Sequence, residues 1–371
     1  MARSTIRSRD RRPSPAGLLL LALILLGSAP ARGGTLDIGV RLTSIYDDNL
    51  LEYSSRDLQE FFKRVNPPRF DIETSDDLSF VSRLEATWSG EAAHAPSLQL
   101  HASDSRQLRN GIRDHQSYGL RLAKSFASHQ SFTLALGYLP RYYLRTLWED
   151  DRPVPYRKLP RYQPAEYRQY SLAAAYGRRV AGLGVRLDWE HRRTDYLDGF
   201  PERDSNSDSL DLSISPRGLG RLRFSLRAGF RRVAARGSDG DESATPDDPD
   251  ISSHTYGAGI AASYSLRRDR PSLRVRQALD YHVRTFGTTD VRDALHFGRQ
   301  DRAFSGNWGL VLGLGSQFQI RGSYELALQR TGALPDATES GADAGDFTAH
   351  RVSLGLGWTF RPGGDGDVEA E

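Results

Sequence analysis

Apolar and polar positions alternate with a period of two along most of the chain beyond residue 35. The last such stretch, 347–360, sets His350, Val352, Leu354, Leu356, Trp358 and Phe360 on one parity and Arg351, Ser353, Gly355, Gly357 and Thr359 on the other. Successive side chains of a strand point to opposite faces, so this segment is apolar on one side and small or polar on the other. Similar stretches occur at 36–46, 78–88, 98–104, 118–126, 132–148, 167–176, 183–191, 210–214, 222–230, 256–266, 273–283, 304–314 and 318–328. Several have the ~9 to 11 residues that carry a tilted strand across a bilayer core. The pattern predicts an all-β fold: a transmembrane antiparallel up-and-down β-barrel of about 14 strands, with lipid on one face and a lumen on the other.

The connections alternate in length. Short ones rich in Gly, Pro, Ser and Arg fall at 127–130, 177–182, 216–220, 267–271 and 313–316, whereas long polar ones fall at 47–77, 149–166, 195–208, 234–250, 290–300 and 331–346. Tight turns at one end and long loops at the other are expected of a membrane barrel and have no counterpart in a sandwich or propeller. Tyr46, Tyr53, Trp88, Tyr118, Tyr138, Tyr142, Trp148, Trp189, Trp358 and Phe360 lie toward segment ends, where amphipathic rings suit a membrane interface.

One sustained apolar run exists, residues 18–26, too short for a spanning helix. Arg3, Arg7, Arg9, Arg11 and Arg12 precede it and Ala29-Pro30-Ala31 follows, the layout of a secretory signal cut after Ala31. The domain organisation expected is therefore a signal peptide at 1–31, a barrel at 32–360 and an acidic, Gly-rich tail at 361–371. Cleavage turns 50 basic and 47 acidic residues into 45 and 46, so the basic pI belongs to the signal and gives no ground for a nucleic-acid partner. A mean hydropathy of −0.55 is compatible with a barrel, whose lumen and loops are polar. The chain has no Cys, which removes thiolate metal sites and Cys nucleophiles from consideration.

The export signal, the strand and loop rhythm and an aromatic-ended last strand resemble the porin-like β-barrels of bacterial outer membranes. The Tyr46-Asp47-Asp48-Asn49 opening is similar to that of uncharacterised β-barrel porins. The resemblance implies residence in the outer membrane, contact with its lipid, and recognition of a terminal aromatic by the barrel-assembly machinery. Phe360 fits that last role, although eleven residues follow it.

If the apolar parity meets lipid, the other parity lines the lumen. On this register Arg41, Arg83, Arg121, Arg141, Arg145, Arg186, Arg192, Arg223, Arg227, Arg231, Arg274, Arg276, Arg284, Arg321 and Arg351 point inward, against Asp37, Glu85, Asp188, Glu190, Asp211, Asp280 and Glu325. The densest candidates are Arg186, Arg192, Arg223, Arg227, Arg231, Arg274, Arg276 and Arg284. An arginine-lined pore favours anions, while arginines laddered with lumenal carboxylates brace the wall; the two readings are compatible. Three functions are carried forward. The first is a porin-like channel passing small solutes, anionic ones among them, or exporting an anionic polymer; the second is a structural or surface-interaction barrel with a plugged lumen; the third is a barrel enzyme.

The first loop contains Leu58, Phe61, Phe62, Val65 and Phe70, amphipathic enough for a short helix stopped by Pro67-Pro68 that either enters the pore mouth or packs on the rim. Acids cluster at Asp239, Asp241, Glu242, Asp247, Asp248 and Asp250, and at Asp336, Glu339, Asp343 and Asp346, without the spacing of a calcium loop. His101 with Ser103 and Asp104, or His191 with Asp188 and Glu190, supplies acid–base residue types without distinctive spacing. We therefore expect no enzyme, no cofactor and no metal site.

Overall fold

The computed structural model describes residues 34–361 except 66, 93, 127–128, 149–161, 198–199, 217–218, 238–249, 270, 289–292, 294–295 and 334–344. The expected signal peptide, the tail beyond Arg361 and most of the two acidic clusters lie outside the described residues.

The strands are β1 (Gly34–Asp47), β2 (Asp77–Gly90), β3 (Ser97–Gln107), β4 (His115–Phe126), β5 (Gln130–Trp148), β6 (Tyr162–Val180), β7 (Leu183–Leu197), β8 (Ser205–Pro216), β9 (Leu222–Ala235), β10 (Ser253–Arg267), β11 (Ser272–Phe286), β12 (Arg299–Gly313), β13 (Phe318–Ala333) and β14 (Phe347–Phe360). Each pairs antiparallel with its sequence neighbours, and β14 returns to β1, making a closed barrel. Fourteen strands about 4.8 Å apart and tilted ~40° give a backbone diameter of about 28 Å. The closing seam runs in register from Ile38 opposite Phe360 to Asp47 opposite Arg351. It is locked at its loop end, where His350 N donates to Asp48 Oδ1 at 2.7 Å and Asn49 Nδ2 to Thr348 O at 3.1 Å.

The apolar parity faces out. Leu42, Leu226, Ile260, Leu310, Leu354 and Leu356 are exposed although large and apolar, an unfavourable arrangement in water that hydrocarbon removes. Aromatics edge this band. Tyr118, Tyr138 and Tyr170 stack in sequence across β4, β5 and β6 at 6.5 and 5.0 Å, and Phe230 meets Tyr256 at 5.1 Å. Toward the turns stand Phe126, Phe132, Tyr176, Tyr264, Phe318, Trp358 and Phe360. Along β10 the nine residues from Tyr256 to Tyr264 span roughly 20 Å of height at barrel tilt, close to an outer-membrane hydrocarbon thickness.

The strands outrun the periodic segments. β8 begins at Ser205 rather than 210 and β6 covers Tyr162–Val180 rather than 167–176, because a backbone ladder continues past the lipid band without needing apolar side chains. The turn expected over 177–182 shrinks to Ala181-Gly182, with φ +49° and +81°, the positive pair that a two-residue hairpin turn requires.

Three register expectations are corrected. Irregularities in β5 between Leu139 and Tyr142 and between Tyr143 and Arg145 shift its parity. Tyr142, expected outward, turns in to meet His115 at 5.0 Å and Tyr167 at 5.3 Å. Arg141, expected inward, shares the outer face with Glu166 and pairs with it. Tyr53 belongs to no girdle: it is buried in the first loop against Tyr143.

The outward face predicts its own test. Ile260, midway between Tyr256 and Tyr264, should tolerate Leu, whereas Ile260→Arg should cost about 2–4 kcal/mol in reversible denaturation from lipid vesicles.

Candidate functional site

The inner wall is polar, and its charges fall into two populations. The first is braced. Within single strands Arg186 Nε donates to Asp188 Oδ2 at 2.8 Å and Arg192 Nη2 to Glu190 Oε1 at 2.9 Å, since residues two apart share a face. Across strands Arg284 Nη2 meets Asp301 Oδ2 at 2.5 Å, and from Asp301's own strand Arg299 Nε reaches the same carboxylate at 2.7 Å. Arg351 holds Asp47 at 2.6 Å, Glu52 at 3.0 Å and Glu325 at 3.2 Å, tying β14 to β1, β13 and the first loop.

Glycines allow one of these braces to cross a strand. Arg227 on β9, Gly259 on β10 and Asp280 on β11 form one inward row, and Arg227 bonds Asp280 at 2.5 Å over the backbone of Gly259. A Cβ at Gly259 would overlap the Asp280 carboxylate, and one at Gly229 would overlap Asp211. The row lies beside a cavity of about 410 Å³ lined by Glu190, Asp211, Arg227, Arg231, His282, Arg284 and Asp301, among others. Arg231 Nη2 donates to Ser207 Oγ at 3.3 Å.

The second population carries no counter-charge. Arg223, Arg274 and Arg276 lie on inward positions of β9 and β11 near the turn end and make no ion pair among the described residues. The eight leading arginine candidates thus occupy the parity opposite the lipid-facing residues of β7, β9 and β11, five of them held by a partner and these three open to the lumen. Phe360 ends β14 opposite Ile38, half exposed, and the next residue, Arg361, pairs with Asp37 at 2.7 Å.

At the loop end the lumen is narrowed from within. Helix α1 (Ser55–Phe62) starts at a capping box between Ser54 and Asp57 and ends at Lys63, before Pro67-Pro68. Its loop seats Leu51 and Tyr53 against Tyr143 of β5, with Leu58, Phe70, Ile72 and Ile112 around them. Arg113 Nη1 and Arg145 Nη2 donate to the carbonyls of Leu50 and Leu51 at 3.0 and 3.1 Å. Burial pushes the Tyr53 hydroxyl well above its ordinary range, so it stays neutral. Below, Tyr142, Tyr167 and Tyr196 make a row with centroids 5.3 and 5.6 Å apart. No periodic signal announces this row; the mark that the β5 irregularity leaves in the sequence is Pro140, which lies inside it and has no N–H to give the ladder.

Neither acid–base grouping is assembled. His101 and Ser103 face in while Asp104 faces out to Gln116 and Arg106. His191 faces out and meets Asp208 at 3.0 Å, whereas Asp188 and Glu190 face in and hold arginines. Among the described residues no group of three or more His, Asp or Glu side chains is placed to hold a metal ion.

No family model and no curated sequence matches the chain. Solved structures do. A bacterial polysaccharide outer membrane secretin aligns at 11% identity over 87% of this chain and 98% of its own, with a TM-score of 0.46. The anion-selective porin from Comamonas acidovorans aligns at 10% over 88% and 99%, TM-score 0.44. The outer membrane channel DcaP of Acinetobacter baumannii aligns at 10% over 88% and 97%, TM-score 0.45. The closed even-stranded ring, apolar belt and asymmetric ends are by themselves the architecture of a bacterial outer-membrane β-barrel, and the belt places the chain in that membrane. Its functional reading rests on the lumen's own residues.

Two outcomes follow from this wall. Gly259→Ala should lower stability by about 1–2 kcal/mol by displacing Asp280 from Arg227, and in an Asp280→Ala background the same change should be neutral or stabilising, a cycle readable by urea titration. His296, in the β11–β12 loop, is buried beside Phe286, and desolvation holds its pKa below the ordinary value despite Asp293 at 3.0 Å. The unfolded loop then binds more protons than the folded one, so stability is lost as pH falls below about 6.5. Amide protection factors over the described residues of 286–299, corrected for the intrinsic pH dependence of exchange, should fall at pH 5 relative to pH 7.5, and His296→Gln should abolish that fall.

Proposed function

We propose that the chain is a porin-like channel of the outer membrane that passes small solutes, anions in preference to cations, along an arginine-rich lumen. The observation that carries this reading is the set Arg223, Arg274 and Arg276, guanidiniums on the inner wall with no carboxylate partner among the described residues. A braced arginine contributes mostly a local dipole, because its carboxylate cancels its field at a distance. An unbraced one leaves a fixed positive potential in the water path, which concentrates anions and repels cations. That potential reaches about 10 Å at 0.1 M salt, comparable with the half-width of this barrel.

A second reading, a structural or surface-interaction barrel with a closed lumen, is favoured by the first loop, whose Leu51 and Tyr53 pack inside the mouth against Tyr143 rather than projecting outward. One experiment separates the two. Purified protein, shown by a heat-shift gel to be a folded barrel, is placed in planar bilayers under a salt gradient. We expect steady conductance with a reversal potential on the anion side that shrinks as ionic strength rises toward 1 M. A strongly cation-selective potential would contradict the proposal, and silence from folded protein would favour the closed barrel.

A further inference from the structure

The turn end of the lumen contains a hollow of about 590 Å³ between the β8–β9, β10–β11 and β12–β13 turns. Six arginines line it, Arg221, Arg223, Arg267, Arg268, Arg274 and Arg276, and no Asp or Glu does. Elsewhere on the inner wall Arg186, Arg192, Arg227, Arg284 and Arg351 each have a carboxylate within hydrogen-bond distance, whereas Arg223, Arg274 and Arg276 make no ion pair among the described residues.

The cluster is held in place as well as charged. Arg268 Nη2 donates to Gly220 O at 2.7 Å and Arg221 Nη1 to Leu266 O at 3.2 Å, so these two arginines cross-link adjacent turns through carbonyl oxygens. The register adds spacing: Arg223 lies opposite Ser263, which lies opposite Arg276, so these two guanidiniums flank one small residue of the strand between them. Arg274 follows Arg276 on the same face, two residues nearer the turn. A guanidinium presents paired N–H donors that fit the oxygens of phosphate or carboxylate, and several converging on a pocket fit a molecule bearing several such groups. Like charges placed this close repel one another, and a bound anion of matching multiplicity relieves that repulsion.

We propose that this hollow is a binding site for a small polyvalent oxyanion, entered from the turn side, which in outer-membrane barrels is the periplasmic side. It deepens the channel reading by naming the class of solute, small molecules with two or more phosphate or carboxylate groups, and the end at which they are captured. Binding itself does not require conduction, so the two ideas can fail separately.

The test uses full-length folded barrel in neutral detergent micelles at low salt, with tripolyphosphate and citrate as probes and titration calorimetry as the readout. We expect at least one probe to bind wild type tenfold or more tighter than Arg223→Gln/Arg274→Gln/Arg276→Gln; the stronger probe tells phosphate from carboxylate chemistry. Arg193→Gln, on the outer face and paired with Asp195, should bind as wild type does. If the triple variant loses its heat shift, Arg276→Gln alone serves, with a threefold loss expected. Equal affinity in wild type and the arginine variants, or no binding of either probe, overturns the site. Binding retained in a barrel that never conducts would instead remove the channel reading and leave the site standing.

Discussion

A backbone amide in hydrocarbon has no water to bond, and each unpaired one costs several kcal/mol. That constraint governs this molecule. Every strand must have two neighbours, which only a closed ring supplies, and the ring is completed where the first and last strands meet. The seam is reinforced beyond its ladder. Asp48 and Asn49 bond the backbone of β14 at the loop end, Arg351 reaches from β14 to Asp47 on β1, and Arg361 meets Asp37 at the turn end. Segments 299 to 324 residues apart in sequence are thereby fixed at both ends.

Closure also sorts the side chains. Since parity alone decides which face a residue occupies, the apolar set must face lipid and the charged set must share a narrow aqueous interior. Most of those charges pair locally, within a strand two residues apart or across one intervening strand where a glycine leaves room. The pairing is uneven along the axis. Carboxylates accumulate toward the loop end around Arg284, Arg299 and Arg351, while Arg223, Arg274 and Arg276 near the β8–β9 and β10–β11 turns make no ion pair among the described residues. A lumen that is neutralised at one end and positive at the other has a direction.

The two ends differ in construction for the same reason they differ in length. Turns of two to a few residues leave no chain to fold back, so the turn end stays open around its arginines. The first loop is long enough to bring Leu51 and Tyr53 into the mouth and bury them on β5, with Arg113 and Arg145 bonding its carbonyls. Its helix begins at a capping box and is held to the following segment by Arg69, which pairs with Asp57 and Glu60.

Strand number, lipid-facing parity and end asymmetry were all legible from residue order, because the alternation of Leu226, Ile260 or Leu354 with small and charged neighbours is a local property that burial in lipid enforces at every second position. The inward arginines of β7, β9 and β11 follow from that parity. Three things were not local. Pro140 marks the β5 irregularity, but which face Arg141 and Tyr142 then take is decided by pairing with β6; the strand ends beyond the lipid band are set by ladder pairing with neighbours; and which arginines find a carboxylate depends on which residues the register brings alongside. Arg227 and Arg276 look alike in sequence, and only the barrel's cross-strand rows give one of them Asp280 across Gly259 and leave the other unmatched beside an open hollow.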